Sequence, residues 1–238
     1  MRIDLNADLG ESWPRWTSGE DLALLDVVTS ANICCGAYAG DEDLMRATCE
    51  AAVARGVAIG AQVGYPDRDN FGRLFLDMPS ADLTAEIMSQ ISLLDDVAGS
   101  VGGTVTYVKP HGALYNAIVD HDRQAHAVVE ALHGLAVTRS LLGLPGSVSL
   151  GIADARGIPT ALEGFADRAY TPDGRLVPRR EPGALLTDVD SVATQAVQLL
   201  GNVASVCVHS DSPGAVGLAR AVRAALLAAG ADVRSMDA

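Results

Sequence analysis

A parallel (β/α) barrel of seven or eight strands is the fold class this sequence predicts, and three observations point to it. Short apolar, β-type runs alternate with amphipathic helical segments along the 238 residues. Seven or eight such units fit that length as one domain spanning residues 1–238. Polar side chains gather just after the apolar runs, at the end of the strands where parallel barrels carry their sites. The alternative is an open doubly wound sheet. There is no Gly-x-Gly-x-x-Gly after the first strand and no Walker A lysine motif, so neither standard nucleotide site is supported.

The elements follow in order. Ile3–Leu5 reads as a short strand and Asp21–Val28 as a helix leading into Thr29-Ser30-Ala31-Asn32. Asp41 is placed as the N-cap of a helix from Glu42 to Arg55 that buries Leu44, Met45, Thr48 and Ala52. Val57–Ala61 is a strand. Pro79 opens a helix whose Leu83, Ile87, Ile91, Leu94 and Ala98 recur at steps of four, four, three and four. Thr104–Val108 is the next strand, followed by a turn, then a helix marked by Ala125, Val128, Val129 and Leu132. Ser140–Leu144 and Ile158–Leu162 read as strands flanking a helix over Val148–Arg156. Tyr170–Arg180, with Thr171-Pro172-Asp173-Gly174, is a long loop. Asp190–Leu200 and Gly214–Leu227 are helical, with strands at Ala204–Val208 and Ala231–Arg234.

Composition narrows the function. The chain is 49% hydrophobic but only 4% aromatic, so Ala, Val and Leu fill the core. A formal net charge of −13 argues against nucleic acid or an anionic membrane as partner. Cys34, Cys35, Cys49 and Cys207 have no zinc-finger or CxxC spacing and read as buried free thiols. The start, Met1-Arg2-Ile3-Asp4-Leu5-Asn6, lacks a signal-peptide apolar region, and no apolar run reaches membrane-spanning length. A cytoplasmic protein is expected.

The densest polar cluster is Tyr107-Val108-Lys109-Pro110-His111-Gly112-Ala113-Leu114-Tyr115-Asn116, where an apolar strand stops at lysine, histidine, tyrosine and asparagine. Other strand ends carry Asn6 and Asp8, Asn32 and Cys35, Gln62, then Glu163 with Asp167 and Arg168, and finally His209 and Asp211. In a parallel barrel all converge on one face. Each also has a structural use. Asn6 and Asn32 could satisfy turn amides, Asp167–Arg168 could be a loop ion pair, and His209 could be a core histidine.

Several long motifs resemble the LamB/YcsF family from Ile3 to about Val233. They are Asp4-Leu5-Asn6-Ala7-Asp8-Leu9-Gly10-Glu11, Thr29-Ser30-Ala31-Asn32-Ile33-Cys34-Cys35-Gly36 with Ala39-Gly40-Asp41, and Gly56–Ala61 with Pro66-Asp67 and Phe71-Gly72-Arg73. The Val108–Asn116 block, Glu163–Tyr170 and Cys207-Val208-His209-Ser210-Asp211 complete the set. The resemblance implies a barrel similar to those of glycoside hydrolases and polysaccharide deacetylases. It implies ATP-dependent opening of 5-oxo-L-proline to L-glutamate, ATP being a co-substrate, with two partner subunits, B and C. A five-membered lactam is a stable amide, so its hydrolysis needs coupling to phosphate cleavage. A route through phosphorylation of the amide oxygen needs donors for oxygen charge and a base for water.

On this resemblance Lys109 is expected to stabilise oxyanion or phosphate charge. His111 and Asp8 are the acid/base candidates, and His209–Asp211 a second pair. Asn6, Asn32 and Asn116 would orient substrate, with Tyr115, Glu163, Asp167 and Arg168 in the substrate-binding set. For Glu163 and Asp167–Arg168, as for Glu11 and Asp41, shaping the surroundings of the site or an interface between subunits is the alternative. Tyr38 and Gln62 stand where many family members have histidine, and Ser210 where glycine is usual. With those histidines replaced, a protein-bound transition metal is not expected, and a divalent metal would arrive with ATP. His121, His126 and His133 are expected to face solvent. One competing reading is a metal-dependent carbohydrate or amide hydrolase acting alone; the other is a non-catalytic regulatory subunit. Homo-oligomerisation is left open.

Overall fold

The computed structural model describes residues 1–236. Seven parallel strands close on themselves: β1 (Arg2–Leu9), β2 (Ser30–Cys34), β3 (Ala58–Val63), β4 (Val105–Pro110), β5 (Ser140–Gly143), β6 (Thr160–Phe165) and β7 (Ser205–Cys207). They pair in chain order, and β1 pairs with both β2 and β7, so the sheet is a (β/α)7 barrel. The last strand, β8 (Asp232–Val233), pairs with Arg2 and Ile3 at the start of β1 and lies outside that closure. Closure leaves the seven strands no free edge.

Nine helices among the described residues are α1 (Trp13–Ser18), α2 (Glu20–Leu25), α3 (Glu42–Arg55), α4 (Ser80–Ser100), α5 (Gly112–Asp120), α6 (Asp122–His133), α7 (Val148–Ala155), α8 (Val189–Leu199) and α9 (Ala215–Ala228). Asp41 caps α3 by accepting from the Leu44 amide at 2.8 Å, and left-handed Gly56 ends it. The stripe Leu83, Ile87, Ile91, Leu94 and Ala98 of α4 is fully buried. Each such Leu or Ile contributes roughly 1.5–3 kcal/mol by leaving water. No helix among the described residues is long and apolar enough to cross a membrane.

Period-two alternation sorts each strand. On β1, Ile3, Leu5, Ala7 and Leu9 join the main apolar core, whereas Asp4, Asn6 and Asp8, equally buried, alternate with them. The lumen therefore holds a polar column, and the apolar core lies between strands and helices. Register aligns the column: Asp8 pairs with Asn32, Asn32 with Gly60, and Gln62 with Lys109.

Several local expectations differ. The helix expected over Asp21–Val28 stops at Leu25, α1 precedes it, and β2 begins at Ser30. The stretch after Pro110 is the start of α5, with His111 as its N-cap. Polar heads and a Pro/Gly pair look like a turn, but they mark a strand passing directly into a helix. Finally, β6 runs on to Phe165. The long loop is present, and the bridges Arg168↔Leu185 and Tyr170↔Leu176 tie it into a strap.

Candidate active site

The floor of the site is Lys109. Its ammonium, 3% exposed, lies 3.1 Å from Asp8 Oδ1, 3.0 Å from Glu163 Oε1, 3.1 Å from Cys207 Sγ and 3.3 Å from Asn6 Oδ1. Burial opposes its charge, but Asp8, Cys207 and Glu163 together hold its pKa well above the ordinary lysine value. Burial likewise works against Asp8, yet the Lys109 charge beside it holds its carboxyl well below the usual range. Both are therefore ionised at neutral pH.

Two asparagines secure this pair. Asn6 donates to Glu163 Oε1 at 2.9 Å and to Ser205 Oγ at 2.7 Å, and its Oδ1 accepts from Asn32 Nδ2 at 2.7 Å. Asn32 also donates to Asp8 Oδ1 at 2.9 Å and accepts from the Tyr107 hydroxyl at 2.7 Å. That last bond needs Gly60, because a Cβ there would lie 2.1 Å from the Tyr107 ring. Below them Asp4 accepts from Thr29, Ser30 and Ser205, and burial raises its pKa. Asn6 and Asn32 thus spend their amides on the column and are not among the residues that line the cavity above it.

Beside the floor stands a second group. The Phe71 carbonyl, 3.1 Å from His111 Nε2, can only accept, so Nε2 carries the proton and Nδ1 accepts from Gln62 Nε2 at 3.1 Å. Burial lowers the His111 pKa to about 4, so the ring is neutral near pH 7 with both nitrogens bonded to protein. Tyr38 stacks on it, centroids 4.0 Å apart, with Gly64 and Gly72 leaving room for the tyrosine. Phe71 is held at φ 56°, an unfavourable conformation of the kind that collects at functional sites. Glu11 lies 3.4 Å from Gln62 Nε2, and burial, with the Asp8 charge next, raises its pKa to about 8.

The third group faces the cavity from β7. His209 Nδ1 is 2.9 Å from Asp167 Oδ1, and the other Asp167 oxygen accepts from the His209 amide and the Ser212 hydroxyl. A carboxylate only accepts, so Nδ1 carries a proton, and in the neutral ring the lone pair is on Nε2. No described residue bonds that Nε2. Phe165 stacks on the ring at 5.1 Å. The expected His209–Asp211 pair is not made. Asp211 instead bridges Arg73 (2.7 Å) and Arg179 (2.6 Å), because two residues along the chain carry it out to the rim. Nor do Asp167 and Arg168 pair with each other: Arg168 donates to the Ala184 and Val177 carbonyls of the strap.

Above these groups opens a cavity of about 880 Å³. Asp8, Lys109, His111, Tyr115, Asn116, Arg168 and His209 line it, whereas Glu163 lies fully buried beneath Lys109. The Tyr115 hydroxyl and Glu163 Oε2 have no partner among the described residues. Asn116 bonds the Gly112 carbonyl at 2.9 Å. Of the distal histidines, His126 and His133 are exposed and His121 is half-buried at the N-terminus of α6.

Asp8, Glu11 and His111 bring one ligand atom each within 4.8 Å of one another, close enough for a divalent cation. The surrounding donors do not fit one. The Gln62 amide points its N–H between Glu11 and His111, and the Lys109 ammonium sits on Asp8. A cation there would meet two hydrogen-bond donors and a like charge.

Sequence reasoning gave Glu11 only a peripheral part and passed over Asp4, Arg73 and Arg179. The alternation Asp4-x-Asn6-x-Asp8 was a usable signal for Asp4, since period two places all three on one face. Arg73 and Arg179 lie on separate loops, and no spacing links them.

The LamB/YcsF family model matches residues 3–238. A protein from Mycolicibacterium gilvum, named as the A subunit of 5-oxoprolinase, is 51% identical over 99% of each chain. Its namesake from Streptomyces griseus is also 51% identical, over 98% of this chain and 99% of its own. The crystal structure of a lactam utilization protein from Thermus thermophilus superposes with a TM-score of 0.91 at 34% identity, covering 98% and 99%. A polysaccharide deacetylase from Bacillus cereus, at 11% identity and TM-score 0.51 over 98% and 91%, shares the barrel fold. By end-to-end sequence match and superposable fold, this chain belongs to the LamB/YcsF family.

Proposed function

We propose that this chain is the A subunit of an ATP-dependent 5-oxoprolinase, acting with B and C subunits to hydrolyse 5-oxo-L-proline to L-glutamate. The observation that carries the reading is its end-to-end identity, about half of all residues, with proteins named as the A subunit of 5-oxoprolinase. The site is chemically suited to it. Lys109, fixed and charged, is the cation for negative charge developing on the amide oxygen. His209 Nε2 is the base for the attacking water and later returns that proton to the leaving ring nitrogen. Asp167 keeps His209 in the required tautomer and stabilises the imidazolium. Asp8 holds the Lys109 ammonium in place and presents a carboxylate to the ring amide N–H. His111 and Glu11, both neutral near pH 7, wall the site without adding charge.

ATP serves the complex as co-substrate: its terminal phosphoryl group passes to the amide oxygen with release of ADP. Water attack and C–N cleavage leave that phosphoryl group on the new carboxyl group, and a second water releases it as inorganic phosphate to give glutamate. Any divalent metal enters with the nucleotide. Glutamate formation from 5-oxoproline by this chain with its B and C partners tests the reading. Glutamate that requires both ATP and this chain is the expected result. Glutamate formed equally well with this chain omitted would overturn it.

A further inference from the structure

The cavity is electrically polarised in a way the acid/base chemistry does not require. Its floor carries Asp8 and Glu163 against Lys109. Its rim carries Arg73, Arg168, Arg175, Arg179 and Arg180. These five guanidiniums share two carboxylates: Asp120 pairs with Arg175, and Asp211 is divided between Arg73 and Arg179. No carboxylate pairs with Arg168 or Arg180 among the described residues. A chain of net charge −13 has thus gathered a local surplus of cations at the mouth of this cavity.

The surplus is also pre-positioned. Arg73 and Arg179 reach the site from separate loops, and each spends Nη2 on opposite oxygens of Asp211, which holds the two guanidiniums side by side. Arg73 lies over the Phe71 ring at 5.0 Å, and Phe71 in turn meets His111 edge-on at 5.4 Å. The pair therefore stands beside the His111 wall of the cavity that Lys109 and His209 also line. Arg179 rides on the strap, which Arg168 clamps by donating to Val177 O at 2.7 Å and Ala184 O at 3.3 Å. Two guanidiniums bridged by one carboxylate leave N–H groups and one positive charge for a second carboxylate, the planar partner that arginine forks suit best.

We propose that Arg73 and Arg179 form the seat for the carboxylate of a ring-amide acid, holding its amide end down towards Lys109, Asp8 and His209, with Arg168 as the positioning residue for the strap. This rests on the 5-oxoprolinase reading and deepens it. The seat explains how a substrate as small as a five-membered ring is oriented in a wide cavity, and it makes the carboxylate, not the ring, the main specificity element.

The test has two arms. In the reconstituted complex, Arg179→Met and Arg73→Met are expected to raise KM for 5-oxoproline about tenfold or more, with kcat within about twofold, and Arg179→Lys to recover part of the loss. In the second arm the isolated full-length chain is titrated with 5-oxoproline, with pyrrolidin-2-one, which has the ring but no carboxylate, and with MgATP. The wild type should favour 5-oxoproline by about tenfold or more, and Arg179→Met should abolish that preference. Glutamate release with an unchanged KM in both methionine variants would overturn the seat and leave the lactamase reading standing. Carboxylate-dependent binding without glutamate release by the complex would support the seat and overturn the lactamase reading. Equal binding of the two ring amides, or MgATP competing for the same arginines, would overturn the seat.

Discussion

Lys109 on the cavity floor and Arg179 on its rim are both cations beside carboxylates, but they are held on different terms. Lys109 is 3% exposed and touches Asp8, Glu163, Asn6 and Cys207, all of them on barrel strands and all of them buried. Arg179 has a side chain 23% exposed, and its one carboxylate, Asp211, is shared with Arg73 from another loop. The floor is locked by register and burial, so its charges are part of the fold. The rim pair Arg73 and Arg179 is held by one shared carboxylate between loops, so it keeps a net positive charge at the cavity mouth. In this barrel the buried floor charges and the fold depend on each other, while the rim charges are added around the edge on loops.

Lys109→Met breaks that comparison most severely. It strands Asp8 and Glu163 as unpaired buried carboxylates, and loss of one partner of a buried pair costs about 3–5 kcal/mol. Urea unfolding should show a loss of that size, and the complex should release no glutamate. Unchanged stability would mean that the floor is no more integral to the fold than the rim.

Glu11→Gln has a smaller effect that is confined to a pH window. Folded Glu11 keeps its proton up to about pH 8, whereas in the unfolded chain it releases it near the ordinary 4.5. Between those values the folded state binds the extra proton, so stability falls as pH rises and levels off above 8. His111, lowered from 6.5 to about 4, acts in the opposite sense between those two values. The two offset each other up to about pH 6.5, and from there to 8 Glu11 acts alone. The wild type should lose roughly 1 kcal/mol per pH unit in that interval, and Glu11→Gln should flatten the decline. Parallel wild-type and variant curves from denaturant unfolding would contradict this.

Arg175→Ala is the mildest change. Its pairing with Asp120 lies on the rim, where the aspartate is 70% exposed, and such pairs contribute about 0.5 kcal/mol or less. A melting temperature within about 2 °C of wild type is expected. A larger drop would show that the strap is structural rather than an accessory to binding.

Much of the floor was legible in the sequence because it obeys local rules. Alternation on β1, the capping aspartate of α3 and the apolar stripe of α4 follow from periodicity. Lys109, His111 and His209 stand at the strand ends where a barrel places chemistry. Less legible was how those side chains pair. Asp167 rather than Asp211 takes His209, because the register of β6 against β7, Phe165 opposite Cys207, decides which loop carboxylate lies beside it. Gln62 reads in sequence as a missing histidine, whereas in the fold it bonds His111 and turns its amide donor into the gap that a cation would need. On the rim Arg168 was legible, but the Arg73–Arg179 pairing was not, since the two meet only through tertiary closure.

The most direct test of the central claim, that this chain supplies the acid/base group for ring opening, is the steady-state rate of the reconstituted complex carrying His209→Ala. The account predicts a kcat about 10²–10⁴-fold below wild type with KM, assembly and melting temperature essentially unchanged. Wild-type turnover by that complex would contradict it and place the chemistry in one of the partners.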